Sequence, residues 1–131
     1  MPAWRQSGWA AEVDDMAGVT LWRPVGPKEL DLIRLSGMKV FPPRLPDQPI
    51  FYPVTTVEYA RALATAWNRK RDGGGFVTRF AVRKDYLDAF QPQVAGGRGC
   101  MEYWIPAEDI GAFNAAIIGF IEVVEEYPAE A

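Results

Sequence analysis

Hydrophobic positions fall into short runs whose period switches repeatedly between two and about 3.6 residues along the chain. Residues 19–25 alternate, with Val19, Leu21, Arg23 and Val25 on one face and Thr20, Trp22 and Pro24 on the other, which predicts a strand. Arg23 therefore falls on the apolar face. Gly26-Pro27 opens a short helix, with proline in its first turn and Glu29 near its N-terminus. Leu30, Ile33 and Leu35 give that helix an apolar side, and Gly37 ends it. A brief strand is expected over 38–41. Residues 42–49 (PPRLPDQP) hold four prolines in eight positions, which forbids a helix and predicts an extended or turning segment.

A second buried strand is expected over 50–54, followed by a capping box with Thr55 at the N-cap and Glu58 three residues on. The helix it starts runs to about Lys70, with Ala60, Leu63, Ala64 and Trp67 forming a core stripe at helical spacing. Asp72-Gly73-Gly74-Gly75 reads as a flexible turn. It lacks the spacing and the Lys-Ser/Thr of a phosphate-binding loop. Alternation resumes over 75–82, with Phe76, Thr78, Phe80 and Val82 on one face. A short helix over 84–90, a short strand over 91–94 and a mobile glycine-rich loop over 95–99 follow. The strand over 100–105 (CMEYWI) places Glu102 among large apolar residues. A helix over 106–117 turns Ile110, Phe113 and Ile117 inward, and a last strand over 118–124 precedes an acidic, frayed tail.

This mixture predicts an α+β fold with a curved, mainly antiparallel sheet and short helices. The expected organisation is a loosely ordered N-terminal arm over 1–18, one domain over 19–127 and a frayed tail over 128–131. Such a length suits one domain with a sizeable core. Net charge, at −3, gives no broad pull towards nucleic acid or an anionic membrane, so a nucleic-acid partner is not expected. Arg69, Lys70 and Arg71 read as a solvated helix end, where cations suit the dipole. A single cysteine excludes an internal disulfide. No apolar run reaches the roughly 18 residues of a membrane span, and the start lacks the apolar core of a signal peptide. The expectation is a cytoplasmic protein without a membrane partner.

Histidine is absent. That removes Ser-His-Asp and Cys-His sites and His-bearing zinc sites, leaving catalysis to carboxylates, Arg, Tyr, Lys or hydroxyls. Cys100, without an imidazole partner, reads as a small core residue. A buried carboxylate such as Glu102 costs several kcal/mol, roughly, unless it is paired, protonated or employed. Its plain reading is a partly exposed strand residue or one half of a structural ion pair with Arg23. Tyr52, on the strand feeding the second long helix, and Tyr59, inside that helix, also read as amphipathic core residues. Arg44 reads either as a solvent-facing loop residue or as a group that reaches an anionic ligand.

In chain order these residues give an Arg on the first strand, an aromatic on a strand that feeds an Ala-rich helix, and a late Glu. LWRPV at 21–25, FYPV at 51–54 with EYARA at 58–62, and CMEYWIP at 100–106 together resemble the three motifs of the ADP-ribosyltransferase superfamily. The chain also looks like small bacterial proteins that carry an ADP-ribosylation name. The resemblance spans residues 19–127 and implies an ADP-ribosyltransferase-like split sheet that takes NAD as its substrate, with no metal. It implies that Glu102 is catalytic and that Arg23, Tyr52, Tyr59 and Arg44 hold the dinucleotide. The alternatives are a catalytically inactive member of that fold that binds a nucleotide or a protein partner, in an immunity or regulatory role, and a sugar or nucleoside hydrolase using Glu102 with Glu108. Trp4 and Trp9 of the arm would suit a docking role.

Overall fold

The computed structural model describes residues 17–94 and 100–129. Most of the expected arm with Trp4 and Trp9, the expected loop over 95–99 and the last two residues of the tail lie outside the described residues.

The architecture is mixed α+β with antiparallel strand pairs and short helices. Strand β3 (Gly74–Arg83) lies at the centre of a three-stranded sheet, between β1 (Gly18–Val25) and β7 (Ile117–Pro128). Both faces of β3 are covered, which is why its sequence is apolar on both sides. Register sets Leu21 opposite Phe80 and Arg23 opposite Thr78. The Thr78 hydroxyl donates to the Arg23 carbonyl at 2.8 Å, so the buried polar position on β3 fixes the backbone under Arg23. Two register shifts break the β3–β7 ladder, and Gly119, at φ +72°, lies within one of them. Bulges of this kind bend a strand and increase its local twist.

The outer edge of β1 is continued by single bridges rather than a full strand. Trp22 bridges Val54, and Val54 bridges Glu102 in β5 (Met101–Glu102), which pairs with β4 (Gln93–Val94). Only Ile50–Phe51 of the strand expected over 50–54 forms a ladder, as β2, against β6 (Ile105–Pro106). Pro53, which has no N–H to give, separates that ladder from the bridge at Val54. The carbonyl of Pro53 still accepts the Tyr103 N–H, at 2.9 Å.

Helix α1 (Pro27–Leu35) buries Leu30 and Ile33, whereas Leu35 is exposed rather than inward. Leu35 lies two residues, about 200°, round the helix from the buried Ile33, and Gly37, at φ +80°, ends the helix. The strand expected over 38–41 does not form. Met38 takes φ +63°, and the Phe41 backbone finds its partner in a side chain instead. The Phe41 N–H donates to Asn114 Oδ1, and Asn114 Nδ2 donates to the Phe41 carbonyl, each at 2.9 Å. One amide replaces a neighbouring strand.

Helix α2 (Val57–Leu63) is capped by Thr56, whose hydroxyl accepts from the Tyr59 N–H at 3.2 Å. The expected cap, Thr55, is instead drawn to β5, where its N–H and hydroxyl both donate to the Met101 carbonyl. The helix continues through a π-helical turn (Ala64–Asn68) and a last α-turn (Arg69–Arg71). Helix α3 (Lys84–Leu87) is shorter than expected. The helix expected over 106–117 is a 3-10 turn (Ala107–Asp109) followed by α4 (Ile110–Ala115), since Pro106 and Ile117 belong to strands. The residues expected to begin a frayed tail are paired along β7, where Glu125 also meets Arg61 at 2.6 Å.

The main core is aromatic. Phe41, Phe51, Phe80 and Phe113 are almost wholly buried, with ring centroids 4.9–6.5 Å apart. A smaller cluster of Val54, Ala60, Ala64 and Val77 seats α2 on the sheet. Its small residues allow close approach: a Cβ on Gly75 would lie 2.5 Å from the Ala64 carbonyl oxygen.

Candidate functional site

An open cleft of about 1140 Å³ runs between α1, the proline-rich segment, α2 and the β5–β6 region. Glu102, Arg23, Tyr52, Tyr59 and Arg44 all line it. The lateral bridges explain part of this convergence, because Trp22, Val54 and Glu102 are neighbours across the sheet. Arg23 follows Trp22 by one residue and Tyr52 precedes Val54 by two, so three distant segments are brought side by side.

Glu102 is 9% exposed, and both of its carboxylate oxygens accept hydrogen bonds. The Trp104 indole N–H donates to one oxygen at 2.8 Å and the Tyr59 hydroxyl to the other at 3.4 Å. Burial and then the neighbouring Glu102 carboxylate push the Tyr59 phenol above its ordinary value, keeping it a donor at neutral pH. Among the described residues Glu102 forms no ion pair. Arg23 turns instead to Glu29, through Nε at 2.8 Å and Nη2 at 3.0 Å. The plain reading of Arg23 as the ionic partner of Glu102 is thereby corrected.

Glu29 is shared. Arg44 Nη1 lies 3.7 Å from Oε1, the oxygen that also accepts from Arg23 Nη2, an ion-pair distance longer than a hydrogen bond. The Arg44 side chain is only 8% exposed and its Nε has no hydrogen-bond partner, so it is not a solvent-facing loop residue. Both guanidinium groups sit over the Phe51 ring, at 4.5 Å for Arg23 and 5.6 Å for Arg44. Burial alone would raise the Glu29 carboxyl, but Arg23 and then Arg44 outweigh it and hold the group below its ordinary 4.5. Two cations against one carboxylate leave this end of the cleft with an excess of positive charge. Burial first, and Arg23 next, draw the Arg44 guanidinium below its ordinary value, while Glu29 opposes them. A guanidinium remains charged throughout the accessible range.

The Tyr52 ring lines the cleft and meets Trp104 edge-on at 6.5 Å. Glu108 is exposed and does not line the cleft, so a site pairing it with Glu102 is not formed. Among the described residues no group of three or more Cys, Asp and Glu could hold a metal ion. No described helix is long and apolar enough to cross a membrane.

Three contributors escaped the sequence reading. Glu29 had a signal: an arginine on an apolar face needs an acid nearby, and Glu29 is the first one after the tight turn at Gly26-Pro27. Trp104 had one too, since strand alternation puts it beside Glu102. Trp67 had none, because helical spacing assigned it to the core, yet it is 62% exposed and lines the cleft. A scan of protein-family models finds no match to this chain, and neither the curated proteins nor the solved structures yield one.

Proposed function

We propose that this chain is an ADP-ribosyltransferase-like domain that binds NAD and cleaves its nicotinamide–ribose bond, by ADP-ribosyl transfer or hydrolysis. One observation carries the reading: a buried carboxylate, held by two neutral donors and free of any described ion pair, shares a cleft with a pair of buried arginines. The resemblance of the three motifs supplies the substrate.

In this reaction the glycosidic C–N bond breaks and its electron pair leaves with neutral nicotinamide. Positive charge develops on the ribose, and an acceptor or water then attacks the same carbon and gives up a proton. Glu102 stabilises that oxocarbenium-like charge and accepts from a ribose hydroxyl. Tyr59 and Trp104 hold the carboxylate in one orientation, so little reorganisation accompanies bond breaking. Arg23 and Arg44 attract the diphosphate through charge-assisted hydrogen bonds, Arg44 being held by Glu29 only at ion-pair distance. Tyr52, exposed on the cleft wall beside Trp104, offers its ring to the nicotinamide.

The second reading, an inactive member of the fold that binds a nucleotide or a protein, has one observation in its favour. Glu29 already engages Arg23 in two hydrogen bonds, and an incoming phosphate has to share that guanidinium or displace the carboxylate. Incubation with NAD separates the two readings. Release of nicotinamide supports the enzyme, saturable binding without release supports the binding module, and no binding at millimolar NAD removes both.

A further inference from the structure

Four residues of α2 and of the π-helical and α-helical turns that continue it line the cleft at intervals of four: Tyr59, Leu63, Trp67 and Arg71. An uninterrupted α-helix would not align them. Each four-residue step overshoots a full turn by about 40°, so Arg71 would point about 120° away from Tyr59. The π-helical turn at Ala64–Asn68, with the Arg69 N–H donating to the Ala64 carbonyl, takes in extra residue length per turn and offsets that drift. It also turns Asn68 inward, where its amide donates to Asp72 at 3.1 Å, and leaves Trp67 facing the cleft. A large indole is thus removed from the core stripe and set on a wall that begins at Tyr59, beside Glu102. The next positions along that wall are apolar Leu63 and then Trp67, with Arg71 beyond it held by Asp72.

We infer that Trp67 is the stacking platform for the base of a nucleotide ligand, which for NAD is the adenine ring. The choice of adenine rests on the NAD reading; the platform itself rests on the helix geometry. Trp67 lies eight residues along the wall from Tyr59, so it meets the end of the ligand remote from the carbon at Glu102. Every base offers a π-face to an indole, and removing such a contact weakens binding by roughly five- to a hundred-fold.

The test measures, by calorimetry, the binding of AMP and of nicotinamide mononucleotide, the two halves of NAD, to the wild-type chain, Trp67→Ala and Trp67→Phe. Exposure of Trp67 leaves the fold little dependent on it, and a thermal melt of each variant checks this. The expected result is a loss of AMP affinity within that range in Trp67→Ala and partial recovery in Trp67→Phe. Nicotinamide mononucleotide should bind all three proteins alike. AMP binding that is unchanged in Trp67→Ala, or absent from the wild type at millimolar concentration, overturns the inference even if NAD is cleaved. AMP binding that depends on Trp67 in a protein releasing no nicotinamide upholds the platform and removes the NAD-cleaving function.

Discussion

Glu29 holds two guanidinium groups with one carboxylate, and its removal exposes how the site is balanced. Glu29→Ala leaves Arg23 and Arg44 facing each other over Phe51 with no counter-charge, and breaking such a buried pair costs about 3–5 kcal/mol. Urea unfolding of the variant should show a loss of that order. The same residue contributes a pH dependence of defined sign. Its folded carboxyl titrates below the ordinary 4.5 of the unfolded chain, so its contribution is full above that value and lost as pH falls through the lower folded one. Stability measured between about pH 6 and pH 3 should fall less steeply for Glu29→Gln than for the wild type. An equal slope in both would mean that Glu29 does not titrate under the influence of the arginines. At this scale the candidate residues were legible because each breaks the local pattern: Arg23 on an apolar face, Glu102 among aromatics. Their partners were not legible, because nothing in a one-dimensional pattern says that Arg23 turns to Glu29 while Glu102 takes neutral donors.

Elements with one clear period, β1, α1 and β3, lie close to where the alternation predicts them. Prediction departs from the structure wherever the backbone is satisfied by an unusual partner. The segment over 38–41 has strand-like residues, but Asn114 supplies the hydrogen bonds that a strand neighbour would give. Asn114→Ala strands a buried N–H and a buried carbonyl at Phe41, and each such group costs about 1–3 kcal/mol. A denaturant midpoint close to that of the wild type would show that water replaces the amide. Along α2 the departure comes from the π-turn, which no side-chain period announces. Its seat on β3 is tight: Gly75→Ala drives a methyl group into the Ala64 carbonyl, and overpacking of this kind costs about 1–3 kcal/mol. Because Ala64 opens the π-turn, the same substitution should weaken nucleotide binding as well as lower the melting temperature.

At the scale of the whole molecule, the cleft exists because the sheet is continued by single bridges rather than by full strands. Trp22, Val54 and Glu102 lie side by side, while the chain before Pro53 and after Thr55 carries Tyr52 and Tyr59 to the cleft wall. The α+β class and the antiparallel pairing were legible from the alternation of short strands and helices. The order of strands across the sheet was not, because pairing depends on long-range contacts that local periodicity does not encode. Within this frame Glu102 is the group on which the proposed chemistry depends. Glu102→Gln keeps an oxygen to accept from Trp104 or Tyr59 and nearly the same volume, so the fold should survive it. The decisive measurement is nicotinamide release from millimolar NAD by the wild-type chain and by Glu102→Gln, alongside NAD binding to both. Release by the wild type, a loss of roughly a hundred-fold or more in the variant, and retained binding are expected. Release at the wild-type rate by the variant, or a wild-type chain that neither binds nor cleaves NAD, would contradict the proposed chemistry.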